Sequence, residues 1–129
     1  MSEREKIKSY LGILNSKIIP DEKTLNKIIS IKNIIIKAKK LNSKVLIFGN
    51  GGSAAIASHV SVDLTKNVKV KAINFNEADL ITCFSNDYGY EKWIEKAIDF
   101  YADKGDVLIL IILFRVFSSG MILEFSIPK

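Results

Sequence analysis

Between Lys44 and Asn67 the chain reads KVLIFGNGGSAAIASHVSVDLTKN: an apolar run, a glycine-rich turn, then a helical pattern. No other stretch constrains the fold as strongly. Lys44 to Phe48 is short and apolar on consecutive positions, which fits a strand of a parallel sheet covered on both faces. Gly49, Gly51 and Gly52 allow positive φ and close backbone approach. Ser53 is a candidate N-cap for the helix that follows, so unpaired N–H groups and the positive end of the helix dipole would face the turn. A phosphate suits that environment. The spacing matches neither the dinucleotide fingerprint G-x-G-x-x-G nor the Walker loop G-x-x-x-x-G-K-[ST].

The rest of the chain alternates helical and strand patterns. Ile7, Tyr10, Leu11 and Leu14 form one stripe and predict a packing helix over 3–18. Pro20 breaks it, and Asp21 is a candidate N-cap for a second helix. There Leu25, Ile28, Ile29, Ile31, Ile34, Ile35 and Ile36 make a face broad enough for two partners. After the turn, 68–75 reads as a strand, 77–84 as a short helix and 85–89 as a loop. Trp93, Ile94, Ala97, Ile98 and Tyr101 predict a helix from Tyr90 to Tyr101 with its aromatics in the core. Val107 to Phe114 is wholly apolar and predicts a central parallel strand. The pattern is that of an open α/β sandwich, whose ligands sit beyond the carboxyl ends of strands at a topological switch point. An uncovered last strand would leave a sticky sheet edge and favour self-association.

His59 is the only histidine. Ala55, His59 and Asp63 share one helix face, and Ile56, Val60 and Leu64 the neighbouring one that would pack on the sheet. His59 and Asp63 would then look toward a crevice or an interface, or simply hydrogen-bond to each other on an exposed face. Cys83, the single cysteine, lies among apolar residues and is expected to be buried; it excludes an intramolecular disulfide, and the cytoplasm is the expected location. At 129 residues the chain is expected to be one globular unit, with 48% hydrophobic and 26% charged residues arguing against disorder. Most of the basic residues behind the net charge of +5 are lysines dispersed between Arg4 and Lys71, without aromatic interleaving, so no nucleic-acid partner is expected. The apolar stretch from Val107 to Phe117 contains Arg115 and is too short to span a bilayer, so no membrane partner is expected either.

The string G-N-G-G-S-A-A with His59 and Asp63, followed by Ser85-Asn86-Asp87-Tyr88-Gly89-Tyr90 and Gly105-Asp106-Val107-Leu108-Ile109, resembles the sugar isomerase (SIS) domain family and, within it, the phosphoheptose isomerases. The resemblance runs from Lys44 to about Ile111. It implies an incomplete flavodoxin-like parallel-sheet sandwich behind N-terminal helices that pack across a homo-oligomer interface. It also implies a sugar phosphate ligand held by Asn50, Gly51, Gly52, Ser53, Asn86 and Asp87. In that family the reaction interconverts ketose and aldose phosphates, here sedoheptulose 7-phosphate, by moving a proton between adjacent carbons. The helix after the turn supplies a histidine metal ligand and a glutamate base; His59 matches the first, and Asp63 stands where the second would be, one methylene shorter. The resemblance therefore assigns catalysis to Asp63 and His59.

Family members bind zinc through residues that include the His59 position and the glutamate position. The remaining ligands, a glutamine and a second histidine, have no match in this chain, and no bound metal or other cofactor is expected. After Gly105-Asp106-Val107-Leu108-Ile109 the family continues into a serine-rich second phosphate loop that Ser118-Ser119-Gly120 echo several residues late. The expected organisation is an N-terminal helical segment over 1–42, a partial SIS phosphosugar-binding domain over 43–112 and an atypical tail over 113–129, as if the frame were disrupted near Ile111. Two functions remain open: an isomerase impaired by truncation, or a non-catalytic sugar phosphate-sensing or oligomerisation module.

Overall fold

A computed structural model describes residues 1–112 and 122–126. The chain divides into two compact units, 1–33 and 34–129. In the first, α1 (Glu3–Ile18) starts at a capping box in which the Glu5 N–H donates to Ser2 Oγ at 3.3 Å and the Ser2 N–H to Glu5 Oε2 at 2.6 Å. Asp21 caps α2 (Glu22–Lys40) as predicted, its Oδ1 accepting the Thr24 N–H at 2.8 Å. No residue of α1 is buried; Ile7, Tyr10 and Leu11 are each more than half exposed. The stripe read as a packing face is therefore bare in the single chain.

The second unit is built on β1 (Lys44–Gly49), β2 (Lys71–Asn74), β3 (Val107–Ile112) and β4 (Ile122–Ser126). The spatial order is β2-β1-β3-β4; the first three strands are parallel and β4 runs antiparallel to β3. Central β1 explains why its sequence does not alternate. Val45 and Ile47 meet Ala38 of α2 and Ala57 of α3 (Gly52–Asp63) on one face. Leu46 and Phe48 meet Trp93 and Ala97 of α5 (Trp93–Tyr101) on the other. Phe48 stacks on Phe75 with ring centroids 4.8 Å apart and tilts against Trp93 at 5.8 Å. With both faces covered, every position must be apolar.

Several elements differ from the sequence reading. The strand expected over 68–75 shortens to Lys71–Asn74, because a π-helical turn, Leu64–Val68, prolongs α3 and ends at Lys69 with φ +60°. Lys39 Nζ donates to the Val68 carbonyl at 2.7 Å and so satisfies that helix end. The short helix becomes α4 (Ala78–Tyr88), absorbing all of the expected 85–89 loop except Gly89, whose φ of +93° makes the turn. Cys83 is exposed, contrary to expectation: α4 turns Leu80, Ile81 and Phe84 toward the core, which leaves Cys83 on the outer face. Of the expected core aromatics, Trp93 is buried and Tyr101 is about half exposed.

The expected bare edge on β3 is instead paired with β4. At the opposite edge, Thr65 Oγ1 donates to the Ala72 carbonyl at 3.2 Å and accepts the Ala72 N–H at 3.4 Å, occupying both outward backbone groups of that residue. Arg115 and the Ser118-Ser119-Gly120 echo lie outside the described residues. No helix among the described residues is long and apolar enough to cross a membrane.

At the amino ends of the strands sits Asp106, 1% exposed. Its carboxylate accepts the Lys44 N–H at 2.7 Å and the Asp103 N–H at 2.8 Å, and pairs with Lys44 Nζ at 2.8 Å. Burial alone would raise the Asp106 carboxyl, but hydrogen bonds from the Lys44 ammonium and from the two backbone N–H groups outweigh it and hold the group below its ordinary value. Lys44 in turn is held above its ordinary value by Asp103 and Asp106.

Candidate functional site

The carboxyl end of β1 opens into the glycine turn. A Cβ at Gly49 would stand 2.3 Å from the Ser53 carbonyl oxygen, so only glycine lets the first turn of α3 close on the strand. Gly51 takes φ +56° and is the residue that caps α3. That corrects the expectation for Ser53: the turn needs a positive-φ residue at the cap, and the serine becomes the second residue of the helix. A Cβ at Gly51 or Gly52 would meet nothing within 4 Å, so the space over the turn is open.

Ser53 is 1% exposed; its N–H donates to the Asn50 carbonyl at 3.1 Å, and the Ala54 N–H donates to the Gly51 carbonyl at 3.0 Å. Among the described residues, the buried Ser53 Oγ has no partner. Among the described residues no acceptor takes the N–H groups of Gly51 and Gly52. Two free amide donors and an orphaned hydroxyl thus gather at the positive end of α3, an arrangement suited to an anion.

Two residues that the sequence reading did not single out brace this helix start. Asn76 Nδ2 donates to the Ala54 carbonyl at 2.7 Å and to Ser58 Oγ at 3.1 Å, while its Oδ1 is buried without a partner. Asn74 Nδ2 donates to Ser61 Oγ at 3.0 Å, and its Oδ1 accepts the Asn76 N–H at 3.3 Å. The available signal was a pair of asparagines flanking Phe75 at the end of a strand.

Asn86 and Asp87 sit in the last turn of α4, exposed, and not in a loop. Asn86 Nδ2 donates to Asp87 Oδ1 at 3.0 Å, and Cys83 Sγ lies 3.7 Å from Asp87 Oδ2. Past Gly89, a 3-10 turn over Tyr90–Lys92 carries Tyr90 to the glycine turn, where its hydroxyl donates to Asn50 Oδ1 at 3.0 Å. Two sequence motifs forty residues apart therefore meet through Tyr90 and Asn50.

His59 and Asp63 pair with each other, Nε2 to Oδ2 at 3.5 Å, with side chains 80% and 52% exposed. Asn67 Nδ2 adds a donor to Asp63 Oδ1 at 3.3 Å. By helix rise, His59 and Asp63 lie about 9 and 15 Å along the axis from Ser53. The structure thus gathers Asn50, Gly51, Gly52 and Ser53 and holds the His59–Asp63 pair apart from them. Of the residues expected to pack on the sheet, Val60 and Leu64 do so while Ile56 is 50% exposed; Ser53, Ala57 and Ser61 are buried beside them, because small side chains let α3 approach β1 more closely than isoleucine would.

No group of three His, Cys, Asp or Glu side chains among the described residues could hold a metal ion. Catalytic zinc ordinarily takes three protein ligands, and an exposed His–Asp pair supplies two, so these residues do not fit a zinc centre. A hollow of about 220 Å³ lined by Ser61, Val62, Thr65, Lys66 and Ala72 lies beside the far end of α3, away from the glycine turn.

The family model of the SIS domain matches residues 15–112. The phosphoheptose isomerase of Clostridium acetobutylicum is 35% identical over 100 residues, which are 72% of this chain and 50% of that protein. The phosphoheptose isomerase of Aquifex aeolicus is 38% identical over 88 residues, 64% of this chain and 46% of that one. The chain spans about half the length of the curated relatives it matches. Among solved structures, phosphoheptose isomerase GmhA from Neisseria gonorrhoeae matches with a TM-score of 0.76 at 23% identity, over 86% of this chain and 61% of that one. At that identity the likeness concerns the fold.

Proposed function

The chain belongs to the SIS domain family, and on that premise we propose that it binds a sugar phosphate at the glycine turn, with the phosphate over Gly51, Gly52 and Ser53. The observation that carries this reading is the set of unpaired donors at the start of α3: two free backbone N–H groups beside the buried, unpartnered Ser53 hydroxyl. Buried polar groups are nearly always paired in a native protein, so orphans gathered at a helix N-terminus favour an anionic ligand. Asn50 flanks the same turn, and the family resemblance adds Asn86 and Asp87, which precede Gly89 on the segment that carries Tyr90 to Asn50, as residues that would contact the sugar.

The finer reading is isomerisation of sedoheptulose 7-phosphate, supported by the similarity to phosphoheptose isomerases. Asp63 would be the base and His59 its polar partner. Their exposure and their distance along α3 from the turn weigh toward binding as the primary role, so turnover needs a separate test. Non-catalytic sugar phosphate sensing is the second reading, favoured by that same separation. The bare stripe of α1 supports a homo-oligomer, since exposed Ile7, Tyr10 and Leu11 would lose about 25 cal/mol per Å² of unfavourable hydration on being covered. We read 1–42 as the helical segment, 43–112 as the phosphosugar-binding part and 113–129 as an atypical tail, of which β4 pairs with β3. The exposed free thiol of Cys83 agrees with a reducing cytoplasm.

Thermal unfolding with and without millimolar sedoheptulose 7-phosphate tests the binding reading, because a ligand selective for the folded state must raise the midpoint. An upward shift lost in Ser53→Ala supports it; an unchanged midpoint in the parent chain rejects it. Measured turnover abolished by Asp63→Ala would establish the isomerase, and binding without turnover the sensor.

A further inference from the structure

Among the described residues, Asn50 is the one side chain of the glycine turn that hydrogen-bonds to another element. Its amide oxygen accepts the Tyr90 hydroxyl at 3.0 Å, and among the described residues its Nδ2 donates to nothing. Both residues are exposed, so the bond sits where a ligand could approach. Tyr90 itself is carried on a firm base. Gly89, with φ +93°, donates its N–H to the Ser85 carbonyl at 3.0 Å and accepts the Lys92 N–H at 3.0 Å, which fixes the direction of the 3-10 turn. Three residues on, Trp93 is 3% exposed and tilts against Phe48 of β1 at 5.8 Å. The tyrosine is thus anchored to the strand that ends in the glycine turn.

An asparagine amide has an acceptor end and a donor end, and fixing one fixes the other. We propose that Tyr90 is a positioning residue: it takes up the Asn50 amide oxygen and thereby presents the Asn50 NH₂ group to an oxygen acceptor on a ligand seated at the glycine turn. This rests on the reading of that turn as a sugar phosphate site and names a determinant of its affinity. Without the tyrosine hydroxyl, Asn50 could rotate its carbonyl toward the anion, where oxygen meets oxygen. Holding the productive orientation beforehand strengthens binding by removing that loss. The expected size is that of one neutral hydrogen bond, about five- to tenfold in affinity.

The experiment is a double-mutant cycle on the full chain: parent, Tyr90→Phe, Asn50→Ala and both together. Each is titrated calorimetrically with sedoheptulose 7-phosphate and with inorganic phosphate, alongside an unfolding midpoint. Tyr90→Phe keeps the ring and removes the hydroxyl. The expected result is a five- to tenfold weaker affinity with an unchanged midpoint, and no further weakening when Tyr90→Phe is added to Asn50→Ala. Unchanged affinity in Tyr90→Phe, effects that simply add, or an affinity loss that follows a falling midpoint would each overturn the positioning role while leaving the site reading intact. A parent chain that binds neither ligand would instead remove the site reading, and this inference with it.

Discussion

The two ends of β1 are built in opposite ways. At the amino end, Lys44 and Asp106 meet through both backbone and side chain, Asp103 completes the cluster, and a carboxylate only 1% exposed has every bond it needs. Across the same strand at the carboxyl end, Ser53 Oγ and Asn76 Oδ1 are buried with no partner among the described residues, which also leave the N–H groups of the turn unbonded. One end spends its polar groups on holding strands in place; the other keeps them back. The contrast agrees with the rule that open α/β sheets put their ligands beyond the carboxyl ends of the strands, here beside β1, where the order β2-β1-β3 sends the chain first to one side and then to the other.

That contrast can be broken most directly at Asp106. Removing its carboxylate by Asp106→Ala would leave two backbone N–H groups without their acceptor and the Lys44 ammonium with Asp103 alone, and should lower unfolding stability by about 3 kcal/mol in urea titration. A loss under about 1 kcal/mol would mean that the amino end is no better satisfied than the carboxyl end.

Acid offers a milder version of the same test. The folded Asp106 carboxyl is held below its ordinary value of 3.8, so its contribution is present above that value and fades as pH falls through the lower, folded one. The unfolding midpoint should therefore drop below about pH 4, and Asp106→Asn, already destabilised at neutral pH, should show a flatter acid limb. Equal acid limbs in the two proteins would assign the lability to other carboxylates.

Thr65→Val tests whether polar pairing at the sheet edge matters as much as pairing at the amino end. Losing two long bonds to Ala72 should cost about 1 kcal/mol by the same titration, and increased association of the variant at high concentration would show that the β2 edge had been opened. The smallest stability change belongs to the site. Ser53→Ala removes an unpaired hydroxyl and should leave stability within about 1 kcal/mol of the parent, or raise it slightly. Its effect should appear as lost protection by sedoheptulose 7-phosphate. A large destabilisation without ligand would show that Ser53 serves the fold after all.

Much of this organisation is legible in the sequence where the signal is local. The apolar stripe locates α1, Asp21 marks the start of α2, and the consecutive apolar positions of β1 and β3 announce strands covered on both sides. The glycine turn and its SIS resemblance are legible for the same reason, since they lie in contiguous residues. Less legible are the element ends. The π-helical turn after Asp63 consumes the start of the second strand, and α4 runs through Asn86 and Asp87, which look like loop residues because Asn and Asp compete with helical bonding in isolation. Cys83 departs from expectation because apolar neighbours on both sides in sequence do not say which side of a helix faces the core.

The sequence by itself determined where most helices and strands run and that a glycine turn joins β1 to α3, because periodicity, capping and glycine placement act over a few residues. Tertiary structure alone decided that Asp106 ties down the amino end, that Tyr90 reaches Asn50, that Asn76 braces Ala54, and that His59 and Asp63 point outward at a distance from the turn. Those pairings join residues up to sixty-two positions apart. They depend on the strand order and on how closely small side chains let α3 approach β1, and neither is written in any single stretch of chain.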